Sequence, residues 1–403
     1  MCIFAVMQAN LPQDFVRMVH EHFDNDTADE LCSALISTEP EVSIRLNSHK
    51  ISVEDLLTYS PNLEQVPWCP GAFYLKERPA FTFDPLFHAG AYYVQEASSM
   101  YVAEVMKQYA PLGRPLVALD LCAAPGGKST LLQSLLPNGS LLISNEPIAK
   151  RSQILSENIQ KWMRGLPNDA PHCMVTQNYP ADFAALTAQV DVLLTDVPCS
   201  GEGMFRKDED AVREWSLENV GMCQQRQRDI LQDIWHVLKP GGLLIYSTCT
   251  FNRFEDEDNT RYICDEMGGF CLLERHFLPG RDRGEGFYVA AIRKNGNADE
   301  SAEKDVQHTA TKVRRTLRVL YDSVSSLQPE GPFVELTYDE ALQYLRREAL
   351  RVEAPRGMVT LRYRNLILGQ GKGVGSRINN LYPEAWRIRS TYTTPFSILG
   401  IEN

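Results

Sequence analysis

The chain has 403 residues, of which 44% are hydrophobic and 23% charged, and its formal net charge is −12. This composition predicts a soluble globular protein of two or three domains, and no run of 18 apolar residues predicts a membrane span. The acidic balance argues against general affinity for nucleic acid. Ten cysteines without a C-x-x-C pair and eight histidines without ligand spacing predict no metal site and no disulfide framework. Reduced thiols in a cytoplasmic enzyme fit this pattern best.

Residues 1–88 are predicted to form a small α+β domain. Between Leu11 and Thr38, apolar residues recur at helical spacing in two stretches, separated by a polar break at 24–27 that can supply a helix cap. Residues 42–46 alternate between apolar and polar side chains, as a half-buried strand does. The segment 90–100 is predicted to open a helix that leads into the next domain.

Residues 89–295 alternate between apolar runs and helical patterns. The predicted strands cover 116–121, 140–146, 173–176, 190–196, 241–249 and 286–294. This alternation predicts a Rossmann-like, doubly wound and mostly parallel α/β sheet. The carboxyl ends of parallel strands share one edge, and ligands bind at that edge.

The loop at 120–129, between the first of these strands and a helix, is the strongest candidate for a ligand site. Gly126 and Gly127 let the backbone approach a small molecule, and the helix that follows directs free N–H groups into the same space. The dinucleotide fingerprint G-x-G-x-x-G is absent. The phosphate loop G-x-x-x-x-G-K-[ST] fails only at Cys122, which replaces its first glycine.

Two ligands therefore remain open for this loop. A nucleoside triphosphate is one, because Asp191–Asp196 is similar to an apolar strand that ends in a magnesium-binding aspartate. S-adenosylmethionine is the other, since it carries no phosphates and needs no complete phosphate loop. Glu146, at the end of the second strand of the sheet, is placed to hold a ribose diol, by analogy with dinucleotide sites.

Two cysteines follow two further strands of the sheet. The fourth strand ends at Asp196 and is followed by Cys199, and the fifth ends just before Cys249. A single cysteine at a strand end is most often structural, but two thiols beside an aspartate and a cofactor loop suit one reaction class. A thiolate that adds to C6 of a pyrimidine makes C5 nucleophilic, and a nearby acid that bonds N3 favours the addition. The second thiol, or a water, assists loss of the C5 proton. The activated thiolate needs a lowered pKa, for which Lys128, Lys207 and Arg206 are candidate neighbours.

Residues 296–310 are poor in core-forming side chains and are predicted to be a linker before a third domain at 311–403. Within 344–390, ten Lys or Arg stand against three Glu, so this segment carries about +7 on an otherwise acidic chain. A polyanion ligand would require such a module, although a solvated basic face accounts for the charge as well. The aromatic residues among these cations fit either base stacking or a hydrophobic core: Tyr363, Tyr382 and Trp386.

Four stretches together resemble the Sun/Nop family of RNA (cytosine-5) methyltransferases, and the resemblance covers nearly the whole chain. They are Tyr93–Met100, Cys122–Lys128 (CAAPGGK), Asp196–Gly201 (DVPCSG) and Ser247–Cys249 (STC). The region around Gly369–Arg377 is similar to the PUA-like RNA-binding part of these enzymes. The loop together with both cysteine motifs makes the resemblance specific.

The resemblance implies a role for each motif. Cys249 is the implied nucleophile, Cys199 assists product release, and Asp196 contacts the base. The residues implied to hold S-adenosylmethionine are Glu146, Asp196 and the loop residues Cys122, Ala123, Ala124, Pro125, Gly126, Gly127 and Lys128. After the third strand the family usually has an aspartate near the cofactor; this chain has Tyr179 there, and Asn178 is the candidate substitute. The candidate RNA-binding residues are Arg362, Arg364, Lys372 and Arg377. The N-terminal domain at 1–88 is also expected to bind RNA.

The function predicted from these features is methylation of C5 of a cytidine in RNA through a covalent Cys–C6 adduct. Small-subunit ribosomal RNA, free or within the subunit, is the expected substrate, and transfer RNA is the alternative. A monomer without membrane or metal partners is expected. The competing functions are a phosphate-loop ATPase and a non-catalytic RNA-binding assembly factor. DNA cytosine-5 enzymes are a further alternative, because they use the cysteine after proline, here Cys199, as nucleophile.

Overall fold

The computed structural model describes residues 11–297, 303–324, 331–390 and 393–401. Three sheets organise these residues: a four-stranded N-terminal sheet, an eight-stranded central sheet and a four-stranded C-terminal sheet. Within the described ranges, the helices are either too short or too polar to cross a bilayer.

The N-terminal region packs helices around an antiparallel sheet. Its elements are α1 (Gln13–His22), α2 (Asn25–Ser37), β1 (Val42–Leu46), α3 (Val53–Tyr59), β2 (Glu64–Gln65), β3 (Ala72–Leu75), α4 (Pro85–His88) and β4 (Tyr92–Val94). Asp24 caps α2 by accepting the Thr27 N–H at 2.9 Å, which confirms the cap predicted in the polar break. Phe15, Val19 and Leu31 of the two first helices are buried.

Strand β4 replaces the helix predicted over 90–100, and this prediction is wrong. Tyr92 pairs with Leu46 in the N-terminal sheet, and the next α-helix begins only at Val102. The run of two tyrosines and a valine favours a strand. Gly90, with φ of 67°, makes the turn before it. The N-terminal sheet therefore continues past the domain boundary predicted at residue 88.

The central region is built on the predicted alternation of strands and helices. Its elements are α5 (Val102–Tyr109), β5 (Val117–Asp120), α6 (Gly127–Leu135), β6 (Leu141–Asn145), α7 (Ala149–Met163), β7 (His172–Thr176), β8 (Val190–Asp196), α8 (Glu209–Glu214), α9 (Leu217–Ile234), β9 (Leu238–Thr248), α10 (Glu257–Glu266), β10 (Gly269–Phe277), β11 (Phe287–Lys294), α11 (Glu303–Thr316) and β12 (Val319–Asp322). The strand order is β10-β11-β9-β8-β5-β6-β7-β12. All six predicted strands are present, whereas β10 and β12 escaped prediction.

The order of the parallel strands creates a crevice beside β5. The chain passes from β5 to β6 and β7 on one side, then returns to β8 and β9 on the other. The Rossmann-like, doubly wound and mostly parallel sheet is thus confirmed. Ligands of such sheets bind where the order reverses, which here is between the carboxyl ends of β5 and β8.

Helix α11 occupies the second half of the predicted linker, which is a correction of that prediction. Residues 298–302 of the linker lie outside the described residues. Val306, Ala310 and Val313 of α11 are buried in the core on one face of the central sheet, because their spacing puts them on one side of a helix. Strand β12 pairs antiparallel with β7 at the sheet edge. The domain limits at 295, 310 and 403 themselves remain predictions.

The C-terminal region is a second small sheet with one helix. Its elements are β13 (Phe333–Glu335), α12 (Tyr338–Leu345), β14 (Ala354–Tyr363), β15 (Leu366–Gly375) and β16 (Ile378–Asn380). Thr337 caps α12 in a capping box with Glu340. Tyr363 and Tyr382 are buried in a core shared with the N-terminal sheet, which confirms the core interpretation for both. Trp386 is half-buried, and Lys161 Nζ lies 5.5 Å from its ring.

Candidate active site

The loop between β5 and α6 has the conformation that a ligand-binding turn needs. Gly126 has φ of 118°, in the left-handed region where a side chain would be strained. The Ala123 N–H donates to the Asn145 carbonyl at 2.8 Å, so the loop is fixed to the end of β6. Helix α6 begins directly at Gly127, and its first N–H groups open at the same sheet edge.

Asp196 ends β8 and connects this loop to β9. Its carboxylate accepts hydrogen bonds from Lys128 Nζ at 2.9 Å and from Ser247 Oγ at 2.8 Å. Burial alone would lower the pKa of Lys128, but the Asp196 carboxylate outweighs burial and the pKa is raised. Lys128 is therefore a cation held within the site, and Cys249 is among its neighbours.

The two predicted cysteines meet in the structure. The Sγ atoms of Cys199 and Cys249 are 3.2 Å apart, and both side chains are half-buried. Strands β8 and β9 are parallel neighbours, so the residues that follow them are adjacent. The hydrogen bond with Cys249, and then burial, raise the pKa of Cys199.

Glu255, which the sequence analysis did not single out, holds the loop that carries Cys199. Its buried carboxylate accepts hydrogen bonds from the Ser200 N–H at 3.1 Å and from Asn252 Nδ2 at 2.8 Å. Ser200 is the residue directly after Cys199, so this carboxylate fixes the backbone beside the thiol. Burial raises the pKa of Glu255.

Asp256, the next residue, holds the other cysteine in the same way. It is fully buried and accepts hydrogen bonds from the hydroxyls of Thr248 at 2.6 Å and Thr250 at 3.0 Å. These threonines flank Cys249. The only sequence signal for both acids is the charge run after the second cysteine motif, and such a run usually marks a solvated face.

Glu146 and Asn178 have different environments at the neighbouring strand ends. The buried Glu146 carboxylate accepts the Ile148 N–H at 3.0 Å and lies 3.4 Å from the Arg151 guanidinium. Arg151, which the sequence analysis missed, also donates to the loop carbonyl of Ala124. Both polar atoms of the Asn178 side chain bond the backbone of Arg318. The predicted contact between Asn178 and a cofactor would have to replace those bonds.

Two of the three cations proposed to activate a thiolate are committed elsewhere. Arg206 and Lys207 approach the Glu285 carboxylate at 3.2 and 3.6 Å, respectively. That pairing corrects their predicted role, because the Glu285 carboxylate balances their charge. Lys128 is the candidate of the three that the structure places at the site.

The four predicted RNA-binding residues fall into two groups. Arg362 pairs with Glu335 at 3.3 Å, and Arg364 donates to the Gly400 carbonyl at 3.1 Å. Lys372 on β15 and Arg377 between β15 and β16 are exposed. The exposed pair is better placed to meet a phosphate backbone, since Arg362 and Arg364 already serve contacts within the protein.

The buried Asp120 carboxyl makes the free energy of unfolding depend on pH. It is fully buried at the end of β5, and burial, helped by the charge of Asp196, raises its pKa to about 7. Because the folded-state pKa is above the unfolded value, this group favours folding at low pH and loses that contribution as pH rises from about 4 to 7. We expect the Asp120→Asn variant to gain up to about 4 kcal/mol relative to wild type across this window.

Urea unfolding at pH 4.5 and pH 8 measures this change in the free energy of unfolding. The matched control is Asp233→Asn, at an exposed position, which should leave the pH dependence of wild type unaltered. Parallel pH profiles for Asp120→Asn and wild type would contradict the assignment.

Three family models match the chain in order. They describe the N-terminal domain of 16S rRNA methyltransferase RsmF at residues 11–97, 16S rRNA methyltransferase RsmB/F at 114–293, and the methyltransferase RsmF PUA domain at 332–388. Both cysteine-bearing strand ends and the loop at 120–129 fall within the second match. Helix α11 and strand β12 fall between the second and third matches.

Individual relatives agree with these models. The chain is 34% identical over 316 residues to ribosomal RNA small subunit methyltransferase F of Pectobacterium atrosepticum, covering 72% of this chain and 64% of that protein. That alignment thus spans less than two thirds of the relative. A protein of the same name from Vibrio atlanticus is 27% identical over 474 residues, covering 94% of this chain and 98% of that protein.

Solved structures show the same fold. NSun6 from Pyrococcus horikoshii has a TM-score of 0.59 at 19% identity, covering 71% of this chain and 99% of that chain. A methyltransferase homolog protein from Pyrococcus horikoshii has a TM-score of 0.56 at 25% identity, covering 70% and 100%. Because three ordered models name the same methyltransferases between residues 11 and 388, the chain belongs to the 16S rRNA methyltransferase RsmB/F family.

Proposed function

We propose that this protein methylates C5 of a cytidine in RNA, with S-adenosylmethionine as the methyl donor. The observation that carries the proposal is the pair of sulfurs 3.2 Å apart, beside Asp196 and the glycine loop at the reversal point of the sheet. A methyl transfer to oxygen or nitrogen needs no thiol, whereas C5 of cytidine needs a nucleophile at C6.

The residues at the loop fit S-adenosylmethionine better than a nucleoside triphosphate. Cys122 occupies the position of the first phosphate-loop glycine, and the buried Glu146 carboxylate would repel a phosphate. Residues 122–128, Glu146 and Asp196 would hold the cofactor, which supplies an electrophilic methyl group. Gly126 keeps the backbone of the loop open to it.

The side chains can then perform the transfer. The Cys249 thiolate, a neighbour of Lys128, adds to C6 and moves an electron pair towards C5, while Asp196 as a carboxylic acid would donate a hydrogen bond to N3 of the base. C5 takes the methyl group and then loses its proton to Cys199 or a water. Those electrons re-form the C5–C6 double bond, and the C6–S bond breaks to return the thiolate.

Small-subunit ribosomal RNA is the proposed substrate. The relatives from Pectobacterium atrosepticum and Vibrio atlanticus are named for this RNA. The PUA match at residues 332–388 supports RNA as the ligand of the basic C-terminal region. The cytoplasmic location and the monomeric state expected from the sequence remain predictions.

Transfer of a tritiated methyl group tests the proposed function directly. The full chain is incubated with ribosomal RNA, with assembled small subunits and with transfer RNA, and bisulfite sequencing then locates any 5-methylcytidine. We expect one methylated cytidine in small-subunit RNA. Methylation of transfer RNA alone would make transfer RNA the substrate. Methyl transfer without any 5-methylcytidine signal in bisulfite sequencing would contradict C5 as the target.

Cofactor choice is a separate prediction. Calorimetry should show one S-adenosylmethionine bound per chain and no binding of ATP with magnesium. Glu146→Ala should weaken cofactor binding about tenfold to a hundredfold, because a charged hydrogen bond to the ribose contributes about 1.5–3 kcal/mol. Glu214→Ala, at an exposed position, is the control. Binding of ATP alone would support the phosphate-loop alternative instead.

A further inference from the structure

A cluster of metal-ligating side chains lies at the contact between the N-terminal helices and the central sheet. His22 is the last residue of α1, Glu257 is the first of α10, and His276 lies in β10. One ligand atom from each lies within 4.8 Å of the others. His22 and Glu257 are 235 positions apart in the chain, which explains why ligand spacing in the sequence gave no sign of them.

One hydrogen bond, between His276 Nε2 and Glu257, joins this cluster, and its other polar atoms converge without partners. The Glu257 Oε1 atom lies 2.8 Å from His276 Nε2 and 3.1 Å from His22 Nε2. The second contact is short but is not a hydrogen bond, so His22 Nε2 is buried without a hydrogen-bond partner. Glu257 Oε2 is likewise buried and unpaired. Two imidazole nitrogens therefore face one carboxylate, and a single cation could be bound by all three groups.

Asp256 supplies the outer partner that metal-bound histidines usually have. Its side chain is fully buried, and its Oδ2 atom has no hydrogen-bond partner. This oxygen lies 4.0 Å from His276 Nδ1, the nitrogen that faces away from Glu257. A carboxylate behind a histidine fixes the ring orientation and raises the basicity of the ligating nitrogen.

Aromatic rings surround the cluster. The Phe23 ring lies 4.3 Å from His22, and the Tyr288 ring lies 4.8 Å from His276. This aromatic surround limits water access, and the side chain of Glu257, 28% exposed, leaves an entry path.

We propose that His22, Glu257 and His276 bind one Zn²⁺ ion, with Asp256 as the second-layer carboxylate. Two imidazoles and one carboxylate are a donor set that Zn²⁺ accepts, and three protein ligands leave a position for water or for the second Glu257 oxygen. The ion would join α1 to the methyltransferase region. It would also stiffen the segment at 256–257, whose Asp256 holds the threonines around Cys249.

The test uses the full chain after removal of metals with a chelator. Zn²⁺ binding is followed by calorimetry, and Co²⁺ is added as a spectroscopic probe. We expect one ion per chain, a visible ligand-field band of four- or five-coordinate Co²⁺, and no thiolate charge-transfer band. That last feature separates this site from the Cys199–Cys249 pair, whose sulfurs are the alternative ligands for a soft metal.

Two ligand variants and one control complete the test. His22→Gln and His276→Gln should each weaken Zn²⁺ binding about a hundredfold, because each removes a ligand. His20→Gln, on the same helix and 3.4 Å from Asp29, should bind as wild type does. Zn²⁺ should also raise the melting temperature of wild type and of His20→Gln by a few degrees, without doing so for His22→Gln.

Three results would overturn the proposal. They are a wild-type chain that binds no Zn²⁺ at tenfold excess, undiminished affinity in both ligand variants, and a Co²⁺ spectrum dominated by thiolate charge transfer. The spectrum requires only the wild-type chain, so the proposal stays testable even if a variant fails to fold. None of these readouts depends on methyltransferase activity.

Discussion

Cys249→Ala is expected to abolish methyl transfer to RNA. Without a thiolate at C6, C5 of cytidine stays unreactive towards a methyl donor, and the loss should reach at least about 10⁴-fold. The variant should still bind S-adenosylmethionine, because the loop at 122–128 is unchanged. Transfer of a tritiated methyl group measures the activity, and calorimetry measures the retained cofactor binding.

Cys199→Ala is expected to fail at a later step than Cys249→Ala. Its Cys249 thiol can still add to C6 and the base can still accept the methyl group, but loss of the C5 proton is slow. RNA should therefore stay attached to Cys249 and migrate with the protein on a denaturing gel. The conjugate should require both cofactor and RNA, and the double variant should not form it.

Cys264→Ala is the matched control, since Cys264 is a half-buried cysteine on α10 outside the pair. It should methylate RNA at the wild-type rate and form no lasting conjugate. The reverse pattern, with a conjugate in Cys249→Ala and none in Cys199→Ala, would make Cys199 the nucleophile. The arrangement would then be that of DNA cytosine-5 enzymes.

Reversing three exposed charges of the C-terminal sheet is expected to weaken RNA binding about a hundredfold. The triple variant is Arg356→Glu, Lys372→Glu and Arg377→Glu. All three side chains are exposed, and Lys372 pairs across the strands with Met358, two residues from Arg356. If each cation meets a phosphate, the slope of log K against log salt should become shallower by at least about 2. Filter binding at several salt concentrations measures both quantities.

The control for this variant reverses three exposed cations elsewhere: Arg17→Glu, Arg213→Glu and Arg261→Glu. It changes the net charge equally but should leave the salt slope within about half a unit of wild type. Equal losses in both triple variants would mean that RNA responds to total charge, and that the C-terminal cations are only a solvated face.

The loop and the two cysteine motifs were predictable from the sequence, because their information is local. A glycine pair between a strand and a helix allows a turn whose backbone a ligand can approach. Cys199 and Cys249 each follow an apolar strand, and parallel strands bring such ends to one edge. The meeting of these thiols near Asp196 therefore followed from strand order alone.

Predictions from local composition were wrong where contacts between distant segments of the chain decide the structure. Strand β4 forms in place of the helix predicted over 90–100, because Tyr92 pairs with Leu46. The polar stretch before β12 folds as α11 because Val306, Ala310 and Val313 pack into the core on one face of the central sheet. In both places tertiary burial outweighs the local pattern, and a single segment of sequence does not contain that burial.

The sequence by itself determined the fold class and singled out the glycine loop and the two cysteines, since each depends on residue type and short spacing. Only the tertiary structure decided the 3.2 Å approach of the sulfurs and the burial of Glu255 and Asp256 behind them. It alone brought His22 to Glu257, across more than half of the chain. Such contacts arise from the packing of whole elements, whose relative positions no local pattern encodes.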